Sequence, residues 1–208
     1  MKIFVWLNPV SIAMYGGDYL TAQLKECGLE PVECRQDHIS AVRKKYNQIV
    51  NRTSRCVADM RCPLAVDYVK KQYAPNFLEY PTIEPILLHC ARELQQRLEG
   101  QGQLIVTTPC RSIKDLGTNL HLPNVEFLTF LELAQRYHIT LQKKELQASP
   151  IPPGFFAELG DRVIILDSRE KIDDYFSAPV PQNAHLLLEM LYCEEGCHHG
   201  DGVLEGAE

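Results

Sequence analysis

The sequence predicts an α/β fold: two lobes of mostly parallel sheet flanked by helices. Three observations carry this. Apolar runs of strand length recur, at residues 3–7, 103–107 and 163–166. They alternate with longer stretches in which apolar residues return at helical spacing. Glycine and proline punctuate the changes between the two patterns. Strands alternating with helices form parallel sheets, because each crossover helix covers a sheet face.

In chain order, residues 2–7 read as a buried strand, and Asn8-Pro9-Val10-Ser11 as a turn. Residues 19–27 carry a helical pattern that closes at Gly28, as glycine-terminated helices do. A short strand over 30–34 and a helix over 39–50 follow, the latter with Ile39, Val42, Tyr46, Ile49 and Val50 on one side. Residues 55–60 form the next strand. Cys62-Pro63 opens a helix running to Ala74, since proline suits a first helical turn. A long amphipathic helix spans 83–98, and the strand 103–107 delivers Cys110 at its carboxyl end. Residues 125–137 give a strand and then a helix. The stretch 149–154, Ser-Pro-Ile-Pro-Pro-Gly, is the most linker-like. Residues 163–166 form a last strand and 185–193 a last helix. The whole reads as one domain, with lobes over 1–100 and 101–198 and a flexible tail over 199–208.

The bulk properties narrow the function. Of 208 residues, 45% are hydrophobic and 23% charged, which is ordinary for a globular chain. The net charge of −6 and the lack of a basic block argue against nucleic-acid binding. The apolar run near the N-terminus is five residues long and ends at Asn8-Pro9, too short for an export or membrane segment. The expectation is therefore a cytoplasmic protein with no membrane association. In a reducing compartment its eight cysteines serve metal binding or catalysis before disulfides.

Four cysteines stand out by their neighbours: Arg61-Cys62-Pro63, Pro109-Cys110 and Cys193-Glu-Glu-Gly-Cys197. Thiolates suit iron and offset a cluster's charge. Proline and glycine beside a cysteine make the tight loops that aim several sulfurs at one place. Cys62 and Cys110 also fall where strands end and helices begin, the position at which open parallel sheets gather ligands. Cys27, Cys34, Cys56 and Cys90 lie among apolar neighbours and read as core residues. A zinc site from Cys193, Cys197, His198 and His199 is the competing reading, weakened because adjacent histidines cannot easily meet one ion. His89, His121, His138 and His185 have no evident partner in the sequence.

In order and spacing, these fragments resemble the catalytic domain of iron-only hydrogenases. The resemblance extends to residues 3–10, to 62–78 after the first cysteine, to 103–110 before the second, and to 125–134. It implies an iron-only hydrogenase-like fold with the cluster site between the lobes. It implies one 4Fe-4S cubane held by Cys62, Cys110, Cys193 and Cys197.

The departures fall on the hydrogen-making parts. The family places a proton-donor cysteine where Arg61 stands, and a guanidinium does not exchange protons near neutrality. After the second ligand the family has Thr-Ala-Lys, against Arg111-Ser112-Ile113-Lys114 here. Its final Cys-Pro-Gly-Gly-Cys is here Cys193-Glu194-Glu195-Gly196-Cys197. Its electron-feeding ferredoxin-type domains have no counterpart in these residues. The expectation is a cluster protein for electron transfer or redox sensing, working with a partner redox protein and without the di-iron subsite or hydrogen turnover. The competing readings are an active hydrogenase using another proton route and a cluster-free interaction domain.

Overall fold

The computed structural model describes residues 2–144, 146, 148–179 and 186–206. It is α/β, with two four-stranded, wholly parallel sheets and helices beside them. The chain divides into two compact units, each built from separated segments. The first comprises Met1–Gln36, Leu87–Ile151 and Cys197–Glu208; the second comprises Asp37–Ile86 and Pro152–Gly196. The lobes are thus interleaved along the chain, instead of dividing once near residue 100. The linker-like stretch 149–154 does mark one of the crossings.

In the first unit the strands are β1 (Ile3–Trp6), β2 (Glu30–Pro31), β5 (Gln103–Thr108) and β6 (Val125–Thr129), in the order β2-β1-β5-β6. Its helices are α1 (Pro9–Tyr15), α2 (Gly17–Glu26), α5 (Ile86–Arg97, entered at its second residue), α6 (Arg111–Thr118) and α7 (Phe130–Arg136). Residues 8–11, expected as a turn, instead start α1. The Asn8 side chain accepts the Ser11 N–H at 2.9 Å, and Pro9 occupies the first turn, so N-cap and proline together nucleate a helix. The Thr129 and Glu132 side chains form a reciprocal capping box that starts α7 directly from β6. Gly117 lets α6 sit on β6, because a Cβ there would come within 2.5 Å of the Phe127 ring. Val5, Leu20, Leu24, Ile105, Phe130 and Leu133 anchor the core of this unit.

In the second unit the strands are β3 (Cys56–Ala58), β4 (Leu78–Glu79), β7 (Val163–Leu166) and β8 (Leu187–Met190), ordered β4-β3-β8-β7. Its helices are α3 (His38–Val50), α4 (Pro63–Gln72) and α8 (Arg169–Ser177). The expected helix over 185–193 is overturned: its described part holds β8, a central strand with all four residues buried. His185 lies outside the described residues. The run Leu-Leu-Glu-Met looks amphipathic because of Glu189, yet a strand buried on both faces carries a continuous apolar run. Glu189 fits there because it is fully hydrogen-bonded, as described below.

Part of the C-terminal tail packs within the first unit. Val203 is fully buried, its carbonyl accepts the Tyr15 hydroxyl at 2.6 Å, and the Gly202 carbonyl accepts the Leu131 N–H at 3.0 Å. Among the described residues no helix is long and apolar enough to cross a membrane.

Candidate functional site

The four cysteines singled out from the sequence fall two in each unit. In the second unit, Cys62 is the N-cap residue of α4, reached from the carboxyl end of β3, with Pro63 in the first helical turn. Burial pushes its thiol above the ordinary range; the backbone N–H groups of Ala65, Tyr192 and Leu64 pull the other way. None of them forms a close capping bond, but N–H groups at a helix N-terminus favour an anionic sulfur. Tyr192, whose backbone reaches Cys62, immediately precedes Cys193 in the chain. Cys62 and Tyr192 pack against the same apolar cluster.

In the first unit, Cys110 is the N-cap residue of α6 at the end of β5, the position equivalent to Cys62. Cys197 opens a 3-10 turn, Cys197–His199, with His198 buried and its ring 3.9 Å from that of His199. This turn is tied to the Cys110 loop at successive points. The Gly202 N–H donates to the Pro109 carbonyl at 3.0 Å, and the Arg111 N–H to the Asp201 carboxylate at 2.9 Å. A Cβ on Gly200 would lie 2.4 Å from the Pro109 oxygen, and one on Gly202 2.8 Å from the Cys110 nitrogen. Only glycine permits so close an approach.

Each strand-end loop is therefore tied within its unit to the segment that carries one member of the Cys193/Cys197 pair. Those two are four residues apart in the chain, and the segment between them turns tightly. Gly196 donates to the Cys193 carbonyl at 3.1 Å, while Glu195 (φ 57°) and Gly196 (φ 119°) both adopt left-handed backbone. Glu195 holds a conformation that glycine adopts freely and other residues rarely.

Arg61, beside Cys62, sits in a buried ionic knot. Its side chain is only 7% exposed, while those of Asp59 and Glu189 are 0%. Its Nε donates to both Asp59 oxygens at 3.0 Å, and its Nη2 to Asp59 Oδ2 at 2.7 Å and Glu189 Oε1 at 2.9 Å. The Gly154 and Phe155 N–H groups also donate to Glu189 Oε1, at 3.0 and 3.1 Å. The guanidinium lies 3.9 Å from the Phe155 ring centre, within cation–π range. Burial alone would lower its pKa, but the Asp59 and Glu189 carboxylates hold it above its ordinary value. Arg61 is thus fixed as a cation, as its chemistry implied. What it does there is structural: it staples the Cys62 loop to the strand that leads to Cys193.

The remaining cysteines differ. Cys56 is buried, and burial pushes its thiol up to about 12, which agrees with a core role. Cys27 is exposed, unlike the core position expected. Cys34 and Cys90, also read as core, are brought together. Cys34 lies in the half-buried loop after β2 and accepts a hydrogen bond from the Cys90 thiol on α5. That bond lowers the Cys34 pKa and raises that of Cys90. The Cys34 and Cys90 sulfurs lie within 4.8 Å of each other. The partner of Cys34, 56 positions further along at Cys90, was not legible in the sequence.

An open groove of about 830 Å³ runs along β6. Its charges are committed to one another, Lys114 to Glu132 and Arg136 to Glu126, so it presents no unmatched charge to a ligand. No family model matches this chain, and no curated protein matches it.

Proposed function

We propose that the chain is a 4Fe-4S cluster protein related to iron-only hydrogenases, serving electron transfer or redox sensing and lacking hydrogen turnover. The observation that supports the reading is that, within each unit, a strand-end cysteine loop is tied to the segment next to one of the C-terminal cysteines: the Tyr192 backbone reaches Cys62, and Asp201 and Gly202 bond to residues 109–111 beside Cys110. Two equivalent strand-to-helix turns present Cys62 and Cys110.

The donor set fits a cubane. Four thiolates are available, two of them at helix N-termini where backbone N–H groups favour the anion. Cys62, Cys110, Cys193 and Cys197 would hold the cluster, and its chemistry when bound is one-electron transfer. The residues around it enclose and orient. Arg61, Asp59 and Glu189 fix the Cys62 side, and Gly200 and Gly202 allow the tail to close on Cys110. A partner redox protein in the cytoplasm would exchange the electron.

Loss of hydrogen turnover follows from Arg61. The proton-donor position holds a cation clamped by two carboxylates, and a guanidinium so held neither gives up nor relays a proton. The test is electron paramagnetic resonance on protein reconstituted and reduced without oxygen, with a parallel hydrogen-evolution assay. The expected result is a reduced-cubane signal that is lost in Cys62→Ala and Cys110→Ala, with no hydrogen. Hydrogen evolution from a fully matured sample would overturn the second half of the proposal.

A further inference from the structure

We propose that Cys34 and Cys90 form a reversible dithiol–disulfide pair, in which Cys34 reacts with a small peroxide and Cys90 resolves the product. The two sulfurs lie within 4.8 Å of each other, and both residues belong to the first unit. The pair is held by its own surroundings. The loop carrying Cys34 is stitched to α5 at three points: the Arg35 and Gln36 N–H groups donate to the Glu93 carboxylate at 2.8 and 3.2 Å, and Arg97 donates to the Glu33 carbonyl at 2.6 Å. Glu93 and Arg97 follow Cys90 on the same helix and pair with each other at 3.1 Å. The stitching keeps the Cys34 sulfur beside the Cys90 thiol, so a disulfide of about 2.0 Å needs only a short closing movement.

The two thiols are unequal, which assigns their roles. Cys34 is half-buried and Cys90 is buried, so an oxidant from solvent meets Cys34 first. The hydrogen bond from the Cys90 thiol holds the Cys34 pKa below its ordinary value, with Arg97 adding to it against burial, Glu93 and Glu33. The same bond, with burial, keeps Cys90 protonated. Reactive cysteines are those with thiolate character and access, often with a resolving thiol beside them. In the first step the Cys34 thiolate attacks a peroxide oxygen. The S–O bond forms, the O–O bond breaks, and the departing hydroxide takes up the proton that Cys34 released, leaving as water. In the second, the Cys90 sulfur attacks the Cys34 sulfenic acid. The S–S bond forms, the S–O bond breaks, and the leaving hydroxide takes the Cys90 proton as a second water. The two sulfurs lose two electrons and one peroxide gains them. A dithiol reductant reverses the change, and the closed form ties the 33–36 loop covalently to α5.

The pair makes no use of the cubane reading, and the test uses the reduced, cluster-free, full-length chain so that neither result depends on the other. The chain is treated with one equivalent of hydrogen peroxide, its remaining thiols are blocked with N-ethylmaleimide, and unreduced peptides are mapped by mass spectrometry. A Cys34–Cys90 linkage should be the first to form within one chain, with a loss of two free thiols that dithiothreitol restores. In Cys90→Ser, dimedone should trap a sulfenic acid at Cys34; in Cys34→Ser, it should leave Cys90 unlabelled. First linkages confined to Cys62, Cys110, Cys193 and Cys197, or no Cys34–Cys90 linkage at all, would overturn the proposal whether or not the variants fold. Dimedone labelling of Cys90 in Cys34→Ser protein of unchanged circular dichroism would overturn the assigned roles.

Discussion

Replacing Arg61 by methionine isolates the role assigned to the ionic knot, because it keeps the length of the apolar stem and removes the charge. Asp59 would lose every side-chain donor that Arg61 supplies, keeping the Arg61 backbone N–H at 3.0 Å and the Tyr46 hydroxyl at 3.4 Å. Glu189 would keep backbone N–H groups from residues 154–156. Breaking a buried ion pair on one side costs about 3–5 kcal/mol. The surviving bonds place this case at the lower end, about 3 kcal/mol. At about 2–4 °C per kcal/mol for a chain of this size, the melting point should fall by about 6–12 °C. Circular dichroism is the suitable probe, since the single tryptophan, Trp6, lies in the other unit. The double variant Asp59→Asn/Arg61→Met should recover part of the loss, because of the two buried carboxylates only Glu189, still held by backbone N–H groups of residues 154–156, is left charged. A fall of less than about 1 kcal/mol, the scale of a surface pair, would refute the reasoning. So would a double variant less stable than the single one.

Three further outcomes follow from the same contacts. Gly202→Ala would push a Cβ to 2.8 Å from the Cys110 nitrogen, so it should lower stability by about 1–3 kcal/mol and reduce iron uptake on reconstitution, read by iron analysis. In native protein at pH 8, iodoacetamide should modify the exposed Cys27 at once and Cys56 only slowly, because burial holds the Cys56 thiol near 12; a mass-spectrometric time course checks the order. The Asp173 carboxylate accepts the Tyr68 and Tyr73 hydroxyls at 2.6 and 2.7 Å, and these bonds hold its pKa below the ordinary 3.8. A carboxyl lowered on folding contributes stability above its unfolded pKa and loses it as pH falls through the folded value. Asp173→Asn should therefore flatten stability against pH below about 4, which urea midpoints at successive pH values would show.

The sequence and the structure agree where local pattern and tertiary environment coincide. The strand at 163–166 and the strand-then-helix at 125–137 are both present, the second because Thr129 and Glu132 mark the boundary. The helix opening at Cys62-Pro63 is present for the same reason, proline in a first turn. The pattern misled at β8, where Glu189 imitated the polar face of a helix. Its partner Arg61 is 128 positions away, so no local window contains the reason for its burial. The cysteines show the same limit. Proline and glycine neighbours pointed to Cys62, Cys110, Cys193 and Cys197; the contacts that tie the strand-end loops to the C-terminal segments run through Tyr192, Asp201 and Gly202, which no sequence pattern marked. Cys34 and Cys90 carry no such neighbours, and only the stitching of the 33–36 loop to α5 makes them a pair.

Iron and acid-labile sulfide analysis of protein purified and reconstituted without oxygen decides whether the four cysteines hold a cubane. About four irons and four sulfides per chain are expected, falling away in Cys193→Ala and Cys197→Ala. Iron below stoichiometry, with sulfide absent and no change in those variants, would contradict it.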